Sequence, residues 1–306
     1  MIIVKLMGGL GNQMFQYALG RHLALKNNDE LRLDLTFLLD RTPRPDFVFR
    51  DYALDLFPIQ AQILGPEERQ RIVGIPANHH RFQRIPLAAH FLHALTRWRS
   101  GQDIAMVQEQ DLTFHPEVLT RKGSLYLDGY WQSPRYFESV ESEIRKDFSF
   151  RPAAFDAPIQ ALATEVQEVN SICINVRRGD FVALATATKF HGVYGADYIQ
   201  RAVAIMAARV PHPHFYVFSD DLPWCRENIR LDHPTTVVGH ELAGPGFSAY
   251  LYLMSRCQHF IIPNSTFAWW AAWLHPGSDK TVIAPAKWLA DPQNKVDILP
   301  PAWIKL

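Results

Sequence analysis

Two arginines, Arg177 and Arg178, follow the apolar run "SICINV" and lead into Gly179 and Asp180. A second polar group follows "HFYVF": Ser219, Asp220 and Asp221. A third follows "HFIIP": Asn264, Ser265, Thr266 and Phe267, at the head of an apolar helical stretch. Each has an ordinary explanation as surface charge, a turn or a helix cap. Together they suit a nucleoside diphosphate. An arginine's planar fork matches phosphate oxygens and stays charged. Ser265 and Thr266 add hydroxyls to the free N–H groups of a helix start, which favour an anion. An acid at a strand end can accept from a guanine edge or a ribose. The chain has no D-x-D triplet, the carboxylate pattern that holds a divalent metal on a pyrophosphate, so arginine and backbone are expected to meet the phosphate charge and no metal is expected.

These groups need strands to present them. In the C-terminal half, "SICINV", "HFYVFS", "TTVVG", "HFIIP" and "TVIAP" alternate with helices expected near Asp156–Glu168, Asp197–Val210, Phe247–Gln258 and Thr266–Leu274. Apolar strands alternating with helices imply a doubly wound parallel sheet, with ligands beyond the carboxyl ends of its strands. In the N-terminal half, "IIVKLM" and "ELRLDL" flank a helix expected from Asn12 to Lys26. "SLYLDGYW" reads as a further strand, and "SPRYFESVESEIRKDF" as one helix with Ser133 as N-cap and Pro134 at its first position. "FRPAAFDAP" reads as a linker. The expected division is an α/β chain of two domains, 1–152 and 153–306.

Bulk composition narrows the field. Residues with 31 positive and 31 negative charges cancel, which argues against a nucleic-acid binder. Three widely spaced cysteines give no disulfide framework or thiolate metal site, and a cytoplasmic protein is the expectation. No apolar run approaches the roughly 20 residues that span a bilayer. From Arg69 to Arg99 there are six arginines, four histidines and no acid. That run reads as a solvated face or, alternatively, as a peripheral contact with an anionic inner membrane or a lipid-linked acceptor.

With those residues in place, the chain resembles the alpha-1,2-fucosyltransferases of glycosyltransferase family 11. The resemblance is carried by "GGLGNQMFQYALGR", "DGYWQSPRYF", "VRRGDF", "HGVYGADY", "FSDDLPWC" and "IIPNSTFAWWAAWL", in that order. It implies a GT-B architecture of two facing Rossmann-like domains around an interdomain cleft, with an acceptor-side domain first and a GDP-fucose-binding domain second. It implies transfer of L-fucose from GDP-fucose to the 2-hydroxyl of a terminal beta-galactoside, with inversion and no required cofactor. By the same resemblance Arg177 holds the beta-phosphate and Arg178 supports it. Asp220 or Asp221 faces guanine or ribose, with Ser219 beside them. Asn264, Ser265, Thr266 and Phe267 line the pyrophosphate and fucose. Asn12, with Gly11 next to it, reaches the donor from the first domain. The family pattern H-x-R-R has Asn175 in place of the histidine here, an amide that still donates and accepts.

The proton acceptor stays open among Asp180, His191 and Asp128, with Asp128 also a candidate for binding the acceptor. Trp131 and its neighbours Tyr130 and Tyr136 offer faces for a sugar or rings for the core. Trp269, Trp270 and Trp273 lie at helical spacing, which favours core. Two rival functions remain. The turn "MGGLGNQMFQYALG" with Asp34 partly imitates a dinucleotide-binding fingerprint, as in an NAD-dependent oxidoreductase, but Met14 stands where the third glycine belongs. A non-catalytic sugar- or nucleotide-binding protein would keep the glycines and aromatics yet have no need of "RRGD". In this reading Gly9 and Gly11 are the positions where a side chain would block approach to the donor.

Overall fold

The computed structural model describes residues 1–72, 104–179, 182, 192, 194–291 and 293–306. They form two units, Met1–Asp147 and Phe148–Leu306, each built on a parallel sheet.

The first unit holds β1 (Ile2–Lys5), α1 (Leu10–Asn27), β2 (Leu31–Asp34), α2 (Thr36–Leu39), β3 (Gln62–Ile63), α3 (Pro66–Ile72), β4 (Ile104–Gln108), β5 (Ser124–Asp128) and α4 (Glu141–Asp147). Its strand order is β3-β2-β1-β5-β4. The chain steps outward from β1 through β2 to β3, then returns to the other side of β1, so the order reverses between β1 and β5. All four residues of β1 are buried, as expected for a strand covered on both faces. Helix α1 is buried along most of its length, and Gly20 is what lets it lie so close. A Cβ there would stand 2.4 Å from Val4 Cγ2 and 2.8 Å from Leu31 Cδ1. The helix ends at Asn28, whose left-handed backbone (φ 50) directs its N–H to the Ala24 and Leu25 carbonyls.

The second unit holds α5 (Ala157–Glu168), β6 (Ser171–Val176), α6 (Ala196–Ala207), β7 (His214–Ser219), α7 (Leu222–Asn228), β8 (Thr235–Val237), α8 (Ser248–Arg256), β9 (His259–Ile261), α9 (Thr266–Leu274), β10 (Val282–Ala284) and β11 (Ile304–Lys305). Its order is β11-β10-β9-β6-β7-β8, with the reversal between β6 and β9. Ile172, Ile174 and Val176 of β6 pack with Phe215, Val217, Ile261 and the α6 residues Ile199, Val203 and Met206. Helix α9 is apolar all round because it is enclosed. Trp269 and Trp270 are fully buried, and the Trp269 indole donates to the Ile298 carbonyl at 2.8 Å. No helix among the described residues is long and apolar enough to cross a membrane.

Three expectations shift. The stretch expected as one helix from Ser133 is two 3₁₀ turns, Pro134–Tyr136 and Glu138–Val140, followed by α4. Consecutive Tyr136 and Phe137 are both buried, and Phe137 takes φ −135 to achieve it, outside the helical range. Ser133 makes no side-chain cap. The "FRPAAFDAP" stretch is packed: Phe155 stacks on Tyr252 at 4.5 Å, and Phe150 lies 5.3 Å from the same ring. Just ahead of it, at the start of the second unit, Phe148 is buried against Trp270. Strands β3, β4 and β11 were not anticipated; β3 and β11 have only two residues each, too few for a period-2 pattern.

Candidate functional site

In the second unit, the first two polar groups lie side by side because β6 and β7 are paired, Val176 opposite Ser219. Arg177 donates from Nη1 to Asp220 Oδ2 at 2.6 Å. Asp220 Oδ1 accepts the Arg178 backbone N–H at 2.9 Å. Arg178 Nε donates to Asp221 Oδ2 at 3.2 Å, and its guanidinium lies 4.2 Å above the Trp224 ring. Asp221 also caps α7, accepting Trp224 N–H at 3.2 Å, while its own N–H donates to Ser219 Oγ at 2.9 Å. Gly179 permits this closeness, since a Cβ there would stand 2.7 Å from Asp220 Oδ2. Each aspartate thus holds an arginine. The pairing of β6 with β7 sets the two aspartates beside the two arginines. The His240 Nε2–H donates to the Ser219 carbonyl at 2.9 Å and adds a ring beside the cluster.

The third polar group reaches the same reversal of strand order through β9, which pairs with β6 up to Ile174 opposite Ile261. Asn264 is buried and donates from Nδ2 to the Trp288 carbonyl at 3.1 Å. Ser265 is the N-cap of α9, its Oγ accepting Ala268 N–H at 3.5 Å. Thr266 and Phe267 are half-buried in the first turn. Asn175, one residue before the end of β6, donates to the Phe218 carbonyl at 3.3 Å. Asp180 and His191, the two candidate bases from this half, lie outside the described residues.

In the first unit, Gly9 is the N-cap of α1, its carbonyl accepting Asn12 and Gln13 N–H at 2.9 and 3.1 Å, and a Cβ on it would meet no protein atom within 4 Å. Gly8 carries the left-handed backbone (φ +73), and a Cβ there would stand 2.4 Å from Asn12 Nδ2. Gly11 is buried in the first turn of α1. The polar residues of "GNQMFQ" stitch the turn together. Gln16 Oε1 accepts Met7 N–H at 2.9 Å. Gln13 donates to the Gly8 and Asp51 carbonyls at 2.9 and 2.8 Å and accepts from Ala53 N–H at 3.0 Å. Asn12 Oδ1 accepts from Gln132 Nε2 at 3.0 Å, tying this turn to the one after β5.

Asp128 ends β5, and the Lys5 ammonium at the end of β1 lies 3.1 Å from each of its oxygens. Next to it, Glu109 follows β4 and accepts the N–H groups of Tyr130 and Trp131 at 2.7 and 2.8 Å. Burial raises the Glu109 pKa above the usual carboxylate value despite those two bonds. The clamp fixes Trp131 in a left-handed conformation (φ 56) with its ring 1% exposed and 5.7 Å from Tyr136. Trp131 is therefore a core residue here and offers no face to a sugar. Lys5, Glu109, Gln16 and Trp224 were missed by sequence reasoning. Lys5 alone carried a signal, as a charge at the end of an apolar strand.

Asp34, which imitates the acid of a dinucleotide fingerprint, is 1% exposed and fully occupied. It accepts from Thr36 N–H and Oγ1, from Arg69 Nε and from the Tyr126 hydroxyl. Burial works against its charge, but Arg69 and Thr36 outweigh it and hold the pKa below the ordinary value. No acceptor position is left for a ribose.

The family model described as Glycosyl transferase family 11 matches residues 63–306. The chain is 28% identical over 308 residues to an alpha-1,2-colitosyltransferase of Escherichia coli, spanning 100% of this chain and 98% of that one. It is 29% identical over 310 residues to the O-antigen biosynthesis glycosyltransferase WbnK of Escherichia coli, spanning 98% and 99%. It is 26% identical over 293 residues to the galactoside 2-alpha-L-fucosyltransferase Sec1 of Mus musculus, spanning 93% and 67%.

Proposed function

The chain belongs to glycosyl transferase family 11, and from that premise we propose that it moves L-fucose from GDP-fucose to the 2-hydroxyl of a terminal beta-galactoside, with inversion and without a metal. The observation that supports this most is the pair of arginines held by Asp220 and Asp221 where the strand order reverses. That is where open parallel sheets take ligands.

Transfer breaks the bond between the anomeric carbon and the beta-phosphate oxygen. The acceptor oxygen bonds to that carbon from the opposite face, and its proton leaves to a base. In this reading Arg177 stabilises the departing diphosphate and Arg178 supports it, while Asp220 and Asp221 fix the two guanidiniums in advance. Preorganised donors aimed at developing charge are often the largest catalytic contribution. Ser219, Asn264, Ser265, Thr266, Phe267, Asn175, Asn12 and Gly11 are the further residues proposed for the donor, and Asp128 for the acceptor. Asp180 and His191 are the proposed bases. A pH–rate profile separates them: activity falls below about pH 4 for an unperturbed carboxylate and below about pH 6.5 for an imidazole.

The colitosyltransferase relative supports a second reading of the donor, in which a colitosyl group replaces fucose. Apart from Arg69, which is buried against Asp34, the basic run to Arg99 is the feature from which contact of a cytoplasmic protein with an anionic membrane or a lipid-linked acceptor is proposed. The test is a transfer assay with GDP-fucose and lactose or N-acetyllactosamine, EDTA present, and product linkage read by NMR. The expected product is an alpha-1,2-fucosylated galactoside. A product only after metal is added defeats the metal-free account. Turnover of the colitosyl donor with none of GDP-fucose makes the second reading the right one.

A further inference from the structure

Three charged residues end three neighbouring strands of the first unit: Asp34 on β2, Lys5 on β1 and Asp128 on β5. Asp34 and Lys5 are paired in register, and Lys5 and Asp128 follow the paired residues Val4 and Leu127. The two carboxylates have the same chemistry and opposite circumstances. A carboxylate has about four acceptor positions. On Asp34 all are filled: Oδ1 accepts from Thr36 N–H at 2.9 Å and Thr36 Oγ1 at 2.7 Å, and Oδ2 from Arg69 Nε at 2.8 Å and the Tyr126 hydroxyl at 2.7 Å. On Asp128 one ammonium supplies both bonds, at 3.1 Å each. The Asp34 side chain is 1% exposed and that of Asp128 18%.

Asp128 therefore keeps acceptor capacity at a place open to a ligand. Lys5 has three hydrogens and two acceptor atoms in the carboxylate, and its ammonium also lies 5.6 Å from the centre of the Phe37 ring. For stability alone, so sheltered an ion pair is no better than two apolar side chains of similar size. It stands where the strand order reverses, and the Asn12–Gln132 bond ties together the two turns that flank it. The pair carries no net charge, which suits a neutral ligand. Two adjacent sugar hydroxyls can give one hydrogen and take another, and an ammonium–carboxylate pair can do the converse.

We infer that Lys5 and Asp128 act as one unit that binds the vicinal 3- and 4-hydroxyls of the acceptor galactoside. Asp128 accepts from one hydroxyl, and Lys5 aims that carboxylate and donates to the other hydroxyl. This rests on the reading of the acceptor as a beta-galactoside. It adds Lys5 to the binding set and names the hydroxyls.

The test begins with wild-type protein, saturating GDP-fucose, and methyl beta-galactoside against its 3-deoxy and 4-deoxy forms. Each deoxy form is expected to raise the acceptor KM about tenfold, the scale of a hydrogen bond to a charged group. Lys5→Met should raise KM for the parent sugar by a similar factor and shrink the deoxy penalties, with Kd for GDP unchanged. Lys5→Arg should recover part of the loss, which a general folding defect would not. Equal KM for all three sugars with wild-type protein overturns the inference, and needs no variant that folds. So does a Lys5→Met protein that keeps both deoxy penalties in full. Should wild-type protein bind GDP yet fucosylate no galactoside, the acceptor reading itself fails and this inference falls with it.

Discussion

The two sheets reverse their strand order in the same way and furnish the reversal differently. At the ends of β6 and β7, next to the reversal between β6 and β9, stand two guanidiniums, each on an aspartate. Between β1 and β5 stand one ammonium on one carboxylate and a pair of linked amides. Planar, permanently charged forks suit a diphosphate. A neutral ion pair with amides suits hydroxyls. The contrast also separates two kinds of carboxylate within the first unit: Asp34, whose bonds all serve the fold, and Asp128, which keeps capacity to spare.

Breaking Asp34 should have the largest effect, and on stability rather than chemistry. Asp34→Asn removes the charge that Arg69 pairs with in the core, and breaking a buried ion pair typically costs about 3–5 kcal/mol. Urea unfolding would read this as a lower midpoint. The pH dependence follows from the lowered pKa. The wild-type carboxylate contributes stability that is fully present above its unfolded value of about 3.9 and is lost as pH falls through the lower folded value. Asp34→Asn should flatten that acid limb, and an unchanged limb would assign it elsewhere.

Arg177→Ala comes next and should strike chemistry alone. Loss of a preorganised donor costs about 2.7–4 kcal/mol in comparable sites, so kcat should fall at least a hundredfold while Tm moves little. Arg177→Lys should not restore it, because a point charge lacks the fork. Full rescue by lysine would mean that charge alone matters and would weaken the contrast with Lys5.

Gly20→Ala should cost about 1–3 kcal/mol by overpacking α1 against β1 and β2. Gly9→Ala, where a Cβ meets nothing, should cost far less. Thermal melts of the two would separate the glycine that packs from its open neighbour. The smallest effect is expected from Ser265→Ala, about 1 kcal/mol from the lost cap of α9. A larger drop in GDP affinity than in stability would show that the hydroxyl serves the donor as well as the helix.

Much of the second unit was legible. Strands β6 and β7 match the apolar runs residue for residue, since a strand buried on both faces needs a continuous apolar run. The arginine pair and the Ser-Asp-Asp group were also visible, because each directly follows such a run. The first unit was harder to read. The two-residue β3 leaves no pattern, and the helix expected from Ser133 is broken at Tyr136 and Phe137, two rings buried in succession. Gln13 and Gln16 look like surface residues in a helix, yet both are buried. Only the fold brings their backbone partners to them.

The sequence by itself determined the alternation of strand and helix, the glycines of the first turn, and which residue types stand at the strand ends. Those features are local, written in residue order and in side-chain chemistry. The tertiary structure decided what each strand-end charge became. Asp34 and Asp128 are both aspartates ending apolar strands, but among the described residues the Asp34 carboxylate meets an arginine, a tyrosine and a threonine while that of Asp128 meets Lys5. Asp220 and Asp221 went to arginines that precede them by more than forty residues. Such partners are set by strand register and sheet order, which bring distant residues within hydrogen-bond reach.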